Sequence, residues 1–138
     1  MEQSYELMTG ILHFAAYFGL SLVLLIAFKY LYALVTPHDE WKLIREDKNV
    51  AAAIGFGGAV LGFAIALGGA ASNSVSLLDF ATWAVIALVA QLLAFAITRF
   101  LFIPRIVSRI EEGEISAGVM LAATTIAVGV LNAACMSY

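Results

Sequence analysis

His13, Asn73, Asp79, Asn132 and Cys135 are the residues of this 138-residue chain best equipped for chemistry. Each falls near the same end of a long apolar run, so in a membrane they would gather at one depth. A thiol, an imidazole and a carboxylate make a nucleophile, a base and an orienting group, and the same three ligate metals. Neither use is the expected one. A zinc site needs a further ligand or a water, and a thiol enzyme needs a substrate cleft that short loops barely supply. The single cysteine excludes an intrachain disulfide and a cysteine-rich metal centre. The expectation is an outer-face polar cluster of His13, Asn73, Asp79 and Cys135 engaged in capping and packing. No catalytic residue, metal site or cofactor follows.

Gln91 and Asn132 are the candidate intramembrane polar groups. An amide buried among apolar side chains must find a partner across a helix interface, which makes Gln91 an interhelical tie before it is part of a conduction path. Conduction wants polar residues tracking one helix face across the bilayer, and only Gln91, Thr124 and Thr125 lie near the midplane. Lys29, Trp41 and Arg99 sit at the opposite boundary. Lys29 and Arg99 can snorkel there, and Tyr30 and Tyr32 flank Lys29 as interface aromatics.

The elements that position these groups are membrane spans. Hydrophobic residues make up 63% of the chain and charged residues 12%, too apolar for a soluble fold of this size. Four runs, about 11–35, 50–71, 80–103 and 116–136, approach the ~20 residues that cross a hydrocarbon core. Glu2 and Glu6 replace the positive region of a signal peptide, so the first run reads as a retained span. All seven basic residues lie around 29–48 and 99–109. Lysine and arginine near spans are retained on the cytoplasmic side, which predicts cytoplasmic connectors and both termini outside. The net charge of −3, with acids offsetting the basic clusters, gives no nucleic-acid surface.

The chain also reads as a duplicated hairpin, repeat 1 over about 11–72 and repeat 2 over about 77–137. Ile11–Pro37 matches Leu77–Pro104 at an offset of 66 early in the span and 67 late, with His13-Phe14-Ala15 facing Asp79-Phe80-Ala81. The returning spans match at an offset of 65. Two-span units insert the same way round, which predicts a pseudo-two-fold axis along the membrane normal. Each connector reads as a short amphipathic helix at the headgroup level, the first opened by Thr36 and Pro37. Asn49 and Ser116 are the expected caps where the chain re-enters the bilayer. Gly55, Gly58 and Gly62 in span two, and Gly118 and Gly129 in span four, mark seams where backbones can approach closely. Spans two and four are therefore expected at the centre, with the bulkier spans one and three facing lipid.

Thr36-Pro37-His38-Asp39-Glu40-Trp41, Ala87-Leu88-Val89-Ala90-Gln91-Leu92-Leu93 and Asn132-Ala133-Ala134-Cys135-Met136 carry a resemblance to the YjfL-type family of bacterial inner-membrane proteins. That family is a domain of unknown function built as two two-span copies. The resemblance covers nearly the whole chain. It implies an inner-membrane location and an envelope-stress, conflict-type or polyamine-linked role, with a cytoplasmic membrane-stress protein as a partner. Combined with the residues, the expectation is an all-α integral membrane protein of one four-span domain. It is non-enzymatic and homo-oligomeric, and it touches the lipid bilayer and no nucleic acid. An oligomeric ion channel or small transporter is the alternative.

Overall fold

The computed structural model describes residues 2–35, 40–98 and 105–136, and all regular structure among them is helical. The helices are α1 (Glu2–Val35), α2 (Glu40–Arg45), α3 (Val50–Asn73), α4 (Leu77–Ile97), α5 (Ile106–Glu111) and α6 (Ile115–Cys135). Thr36, Pro37, Arg99 and Pro104 lie outside the described residues, as does the Trp41 side chain. Four helices, α1, α3, α4 and α6, are long and apolar enough to cross a membrane.

Local chemistry fixes where they begin. Asn49 caps α3, its side-chain oxygen accepting from the Ala52 amide at 3.0 Å. At α4 the cap is reciprocal: the Ser76 hydroxyl accepts from the Asp79 amide, and the Asp79 carboxylate accepts from the Val75 amide. The start of α6 departs from the expectation. Glu114 holds the N-cap position, and Ser116 lies inside the helix, donating to the Glu114 carboxylate. α1 also begins nine residues earlier than the apolar run, because an acid in the first turn and no proline let the helix run through the polar tail.

α3 and α6 form the centre and run parallel. A Cβ added at Gly118 would meet the Ala51 carbonyl, and one at Gly129 would meet the Gly62 carbonyl. Both pairs have the same sequence separation, as two helices passing in register require. α4 packs against both, which the bulk of its side chains had not suggested. Phe80, Ala84, Ala87, Gln91, Ala94 and Phe95 are buried, so span three shares the core and does not merely face lipid.

α1 packs on α3 and α4 and has at most marginal contact with α6. Phe28 stacks on Phe63 at 4.8 Å, and Tyr32 meets Phe56 and Phe95. Tyr17 stacks on Phe80 at 5.1 Å. The Tyr17–Phe80 and Tyr32–Phe95 pairs share one register, so α1 and α4 run side by side in the same direction, and the first twelve residues of α1 extend past the start of α4.

The connector helices fold onto the bundle end. Ile106 and Ile110 are fully buried in the core, and Leu43 and Ile44 pack against it. Their apolar faces therefore find protein where headgroup contact was expected. A six-residue helix has too little intrinsic stability to stand alone, and covering the ends of α3 and α6 supplies the burial that holds it.

Candidate functional site

The polar groups that meet inside the bundle lie within about two helical turns of one another. Gln91 of α4 is 1% exposed, and its side-chain amide donates to the Thr125 carbonyl of α6 at 3.1 Å. Asn132, about two turns further along α6, donates to the Ala87 carbonyl at 3.2 Å and reaches the Gln91 side-chain oxygen at 3.5 Å. A Cβ at Gly62 would lie 2.9 Å from the Gln91 nitrogen. The absence of a side chain on α3 thus leaves the space in which the Gln91 amide reaches α6. The Thr125 hydroxyl turns back to its own helix, donating to the Leu121 and Ala122 carbonyls. Thr98 and Thr124 do the same toward Ala94 and Met120.

Around this tie the small residues determine how close α3 and α6 come. A Cβ at Gly58 would run into Ala122, one at Gly55 would lie 2.9 Å from the Leu121 side chain, and one at Gly69 would lie 2.6 Å from Ala133. Gly57 and Gly68, on the same helix, have open space where a side chain would go. Only one face of α3 needs its glycines for packing.

The residues expected at the outer face are placed near one end of the bundle and spent separately. Asn73 donates to the Gly69 carbonyl of its own helix, and Asp79 serves the turn before α4. His13 and Cys135 are exposed. No grouping of three or more histidine, cysteine, aspartate or glutamate side chains able to hold a metal occurs among the described residues. Lys29 at the other end is half-buried, with its ammonium 5.1 Å from the centre of the Tyr30 ring.

Two features of the connector end have no counterpart in the sequence reading. The Asn49 amide nitrogen donates to the Ile110 carbonyl at 2.7 Å, so one side chain caps α3 and ties it to α5. Asparagine at a helix start announces the cap, but nothing in its neighbourhood announces a partner sixty residues away. The second is a paired ion contact: Arg109 grips the Glu114 carboxylate with two nitrogens, one at 2.8 Å. That hydrogen bond holds the Glu114 carboxyl below its ordinary range against the opposing effect of desolvation, with Ser116 helping. It also makes the Arg109 guanidinium harder to deprotonate. Beside these residues a shallow cleft of about 430 Å³ opens between the two connectors, lined by Asp47, Lys48, Asn49, Glu111 and Glu112 among others.

Four apolar spans, a glycine-bearing helix pair and an amide tie inside the bundle define an all-helical polytopic membrane protein. The chain belongs to the family described as Domain of Unknown Function (DUF350), whose model matches residues 6–136. It is similar to the UPF0719 inner membrane protein YjfL of Escherichia coli K12, 40% identical over 133 residues, or 96% of this chain and 99% of that protein. The same identity holds for the O157:H7 protein of that name. The UPF0719 transmembrane protein YshE of Bacillus subtilis is 33% identical over 87 residues, covering 63% of this chain and 64% of that protein. No solved structure matches. The family relationship and the four spans together make this an inner-membrane protein.

Proposed function

We propose that this protein is a non-catalytic, homo-oligomeric scaffold of the bacterial inner membrane, acting in an envelope-stress or conflict-type system with a cytoplasmic membrane-stress protein. The observation that carries the scaffold reading is the use made of Gln91. Its amide and that of Asn132 join α4 to α6 through backbone carbonyls, which fixes helix register. Polar groups so placed hold a bundle together. The stress-system role rests on the family resemblance, and the orientation, with connectors inside and both termini outside, rests on the basic-residue asymmetry.

The duplicated-hairpin reading has backbone support. Lys48 and Gly113 both adopt left-handed conformations, with φ of 51° and 80°, and lie at the 65-residue offset of the returning spans. The next residues, Asn49 and Glu114, take nearly the same cap conformation, with φ of −77° and −73°. A left-handed turn followed by the same cap conformation at the matching offset is what a duplicated connector predicts.

The test joins physiology to electrophysiology. Loss of the protein should lower survival under envelope stress, with wild type restoring it and Gly62→Leu failing to. Purified protein in planar bilayers should carry no ion current. Reproducible single-channel currents abolished by Gln91→Leu would replace the scaffold with the channel reading.

A further inference from the structure

We propose that a second copy of this chain seats its α1 in the open groove of the α3–α6 pair. Two parallel helices leave two long grooves, one on each side. α4 fills one of them, with Phe80 and Ala84 fully buried and Leu88 8% exposed. The opposite groove, edged by Leu61 and Ile65 of α3 and by Ile126 and Val130 of α6, is not covered by any of the described residues. Leu61 is 52% and Val130 51% exposed.

The internal repeat identifies the occupant. At its 66-residue offset the counterparts of Phe80, Ala84 and Leu88 are Phe14, Phe18 and Leu22. Those residues form a ridge with four-residue spacing and are 66%, 51% and 44% exposed. The face that α4 buries against the α3–α6 pair is the face that α1 leaves bare. An arrangement with full two-fold symmetry would place an α1 in the second groove.

The chain's own α1 is not free to go there. Phe28 and Tyr32, both fully buried, hold it through Phe63, Phe56 and Phe95. Helical periodicity puts Phe56 and Phe63 on the side of α3 away from Leu61 and Ile65. The helix that fills the groove therefore comes from another molecule, and interdigitation of the aromatic ridge provides the van der Waals contact that drives association in lipid. Ridge and groove lie on opposite sides of α3, so each copy gives its α1 to one neighbour and receives one from another. Such head-to-tail contacts build a ring where the rotation closes.

This inference rests on the homo-oligomeric and duplicated-hairpin readings above, and the experiment separates them. The stack of Phe28 on Phe63 and the tilted contact of Tyr32 with Phe56 set the height of α1 against α3 and make Phe18 level with Ser72. Within one chain α3 stands between those two positions. In a Cys135→Ser background, Phe18→Cys and Ser72→Cys are combined and oxidised in native membranes. The mass of the unmodified protein is measured in parallel in nanodiscs of phosphatidylethanolamine and phosphatidylglycerol. The expected result is a shift of the monomer band into a ladder of dimers, trimers and larger species. Neither single variant, nor the level-matched control pair of Phe18→Cys with Thr82→Cys, should produce it. An oligomeric mass without Phe18–Ser72 cross-linking overturns this surface and leaves the homo-oligomer standing. A monomeric mass overturns both. A ladder that stops at the dimer overturns the head-to-tail arrangement, and a cross-link within one chain overturns the second copy as occupant.

Discussion

Lys48 and Gly113 both lie in the left-handed region, yet only one of them is glycine. A side chain there places Cβ against the following carbonyl at a cost of about 1–2 kcal/mol. Lys48→Gly should therefore stabilise the bundle by about 1 kcal/mol and Gly113→Ala should destabilise it by a similar amount, read from reversible unfolding in mixed micelles. The Arg109–Glu114 contact gives a second expectation, in pH. Its carboxyl is held below the ordinary carboxylate range, so its contribution is present above that range and is lost as pH falls through the lowered value. Acidification should lower the hydrogen-exchange protection factors, taken relative to the intrinsic rate at each pH, of the amides of residues 112–117. Glu114→Gln should show the low protection factors at every pH, and wild-type protection factors that stay flat on acidification would count against the contact.

At the level of whole helices, α3 offers a test within two neighbouring residues. Gly58 faces Ala122 with no room for a Cβ, whereas Gly57 faces open space. Gly58→Leu, like Gly62→Leu, must push α3 away from α6, and core overpacking typically costs about 1–3 kcal/mol or more. Gly57→Leu should leave unfolding nearly unchanged. Equal losses at the two positions would mean that α3 is rotated from the orientation described. Asn49 couples two connectors in the same way that the glycines couple two spans. Asn49→Ala removes the α3 cap, worth about 1 kcal/mol, and also releases α5 from α3. Protease nicking between residues 105 and 114 should rise in that variant, whereas a variant affecting only the cap of α4, Ser76→Ala, should leave it unchanged.

For the molecule as a whole, orientation is the first quantity to measure. In a cysteine-free background, Val75→Cys should react with a membrane-impermeant maleimide from outside intact spheroplasts, and Glu112→Cys should react only after the membrane is opened. Val75 is 86% exposed and Glu112 is exposed, so access is not limited by packing. Labelling of Glu112→Cys from outside would invert the proposed topology.

Composition and periodicity by themselves determined that this is a helical membrane protein of four spans, because crossing a hydrocarbon layer needs long apolar runs whatever their partners. They also marked Gly58 and Gly62 as places where a backbone could be approached, since glycine in a helix is otherwise a cost. The seams placed spans two and four at the centre, but which residues of the two backbones meet was settled only in three dimensions. Parallel pairing of α3 with α6 depends on side chains from residues far apart in sequence meshing together. The same is true of α4, whose bulk gave no hint that Gln91 reaches Thr125 through the space left by Gly62. The connectors followed a similar rule: their amphipathic pattern was readable, but a pattern says only that one face is buried, and the bundle end rather than the lipid surface buries it. Local sequence sets what a residue can do, and tertiary contact selects the partner it does it with.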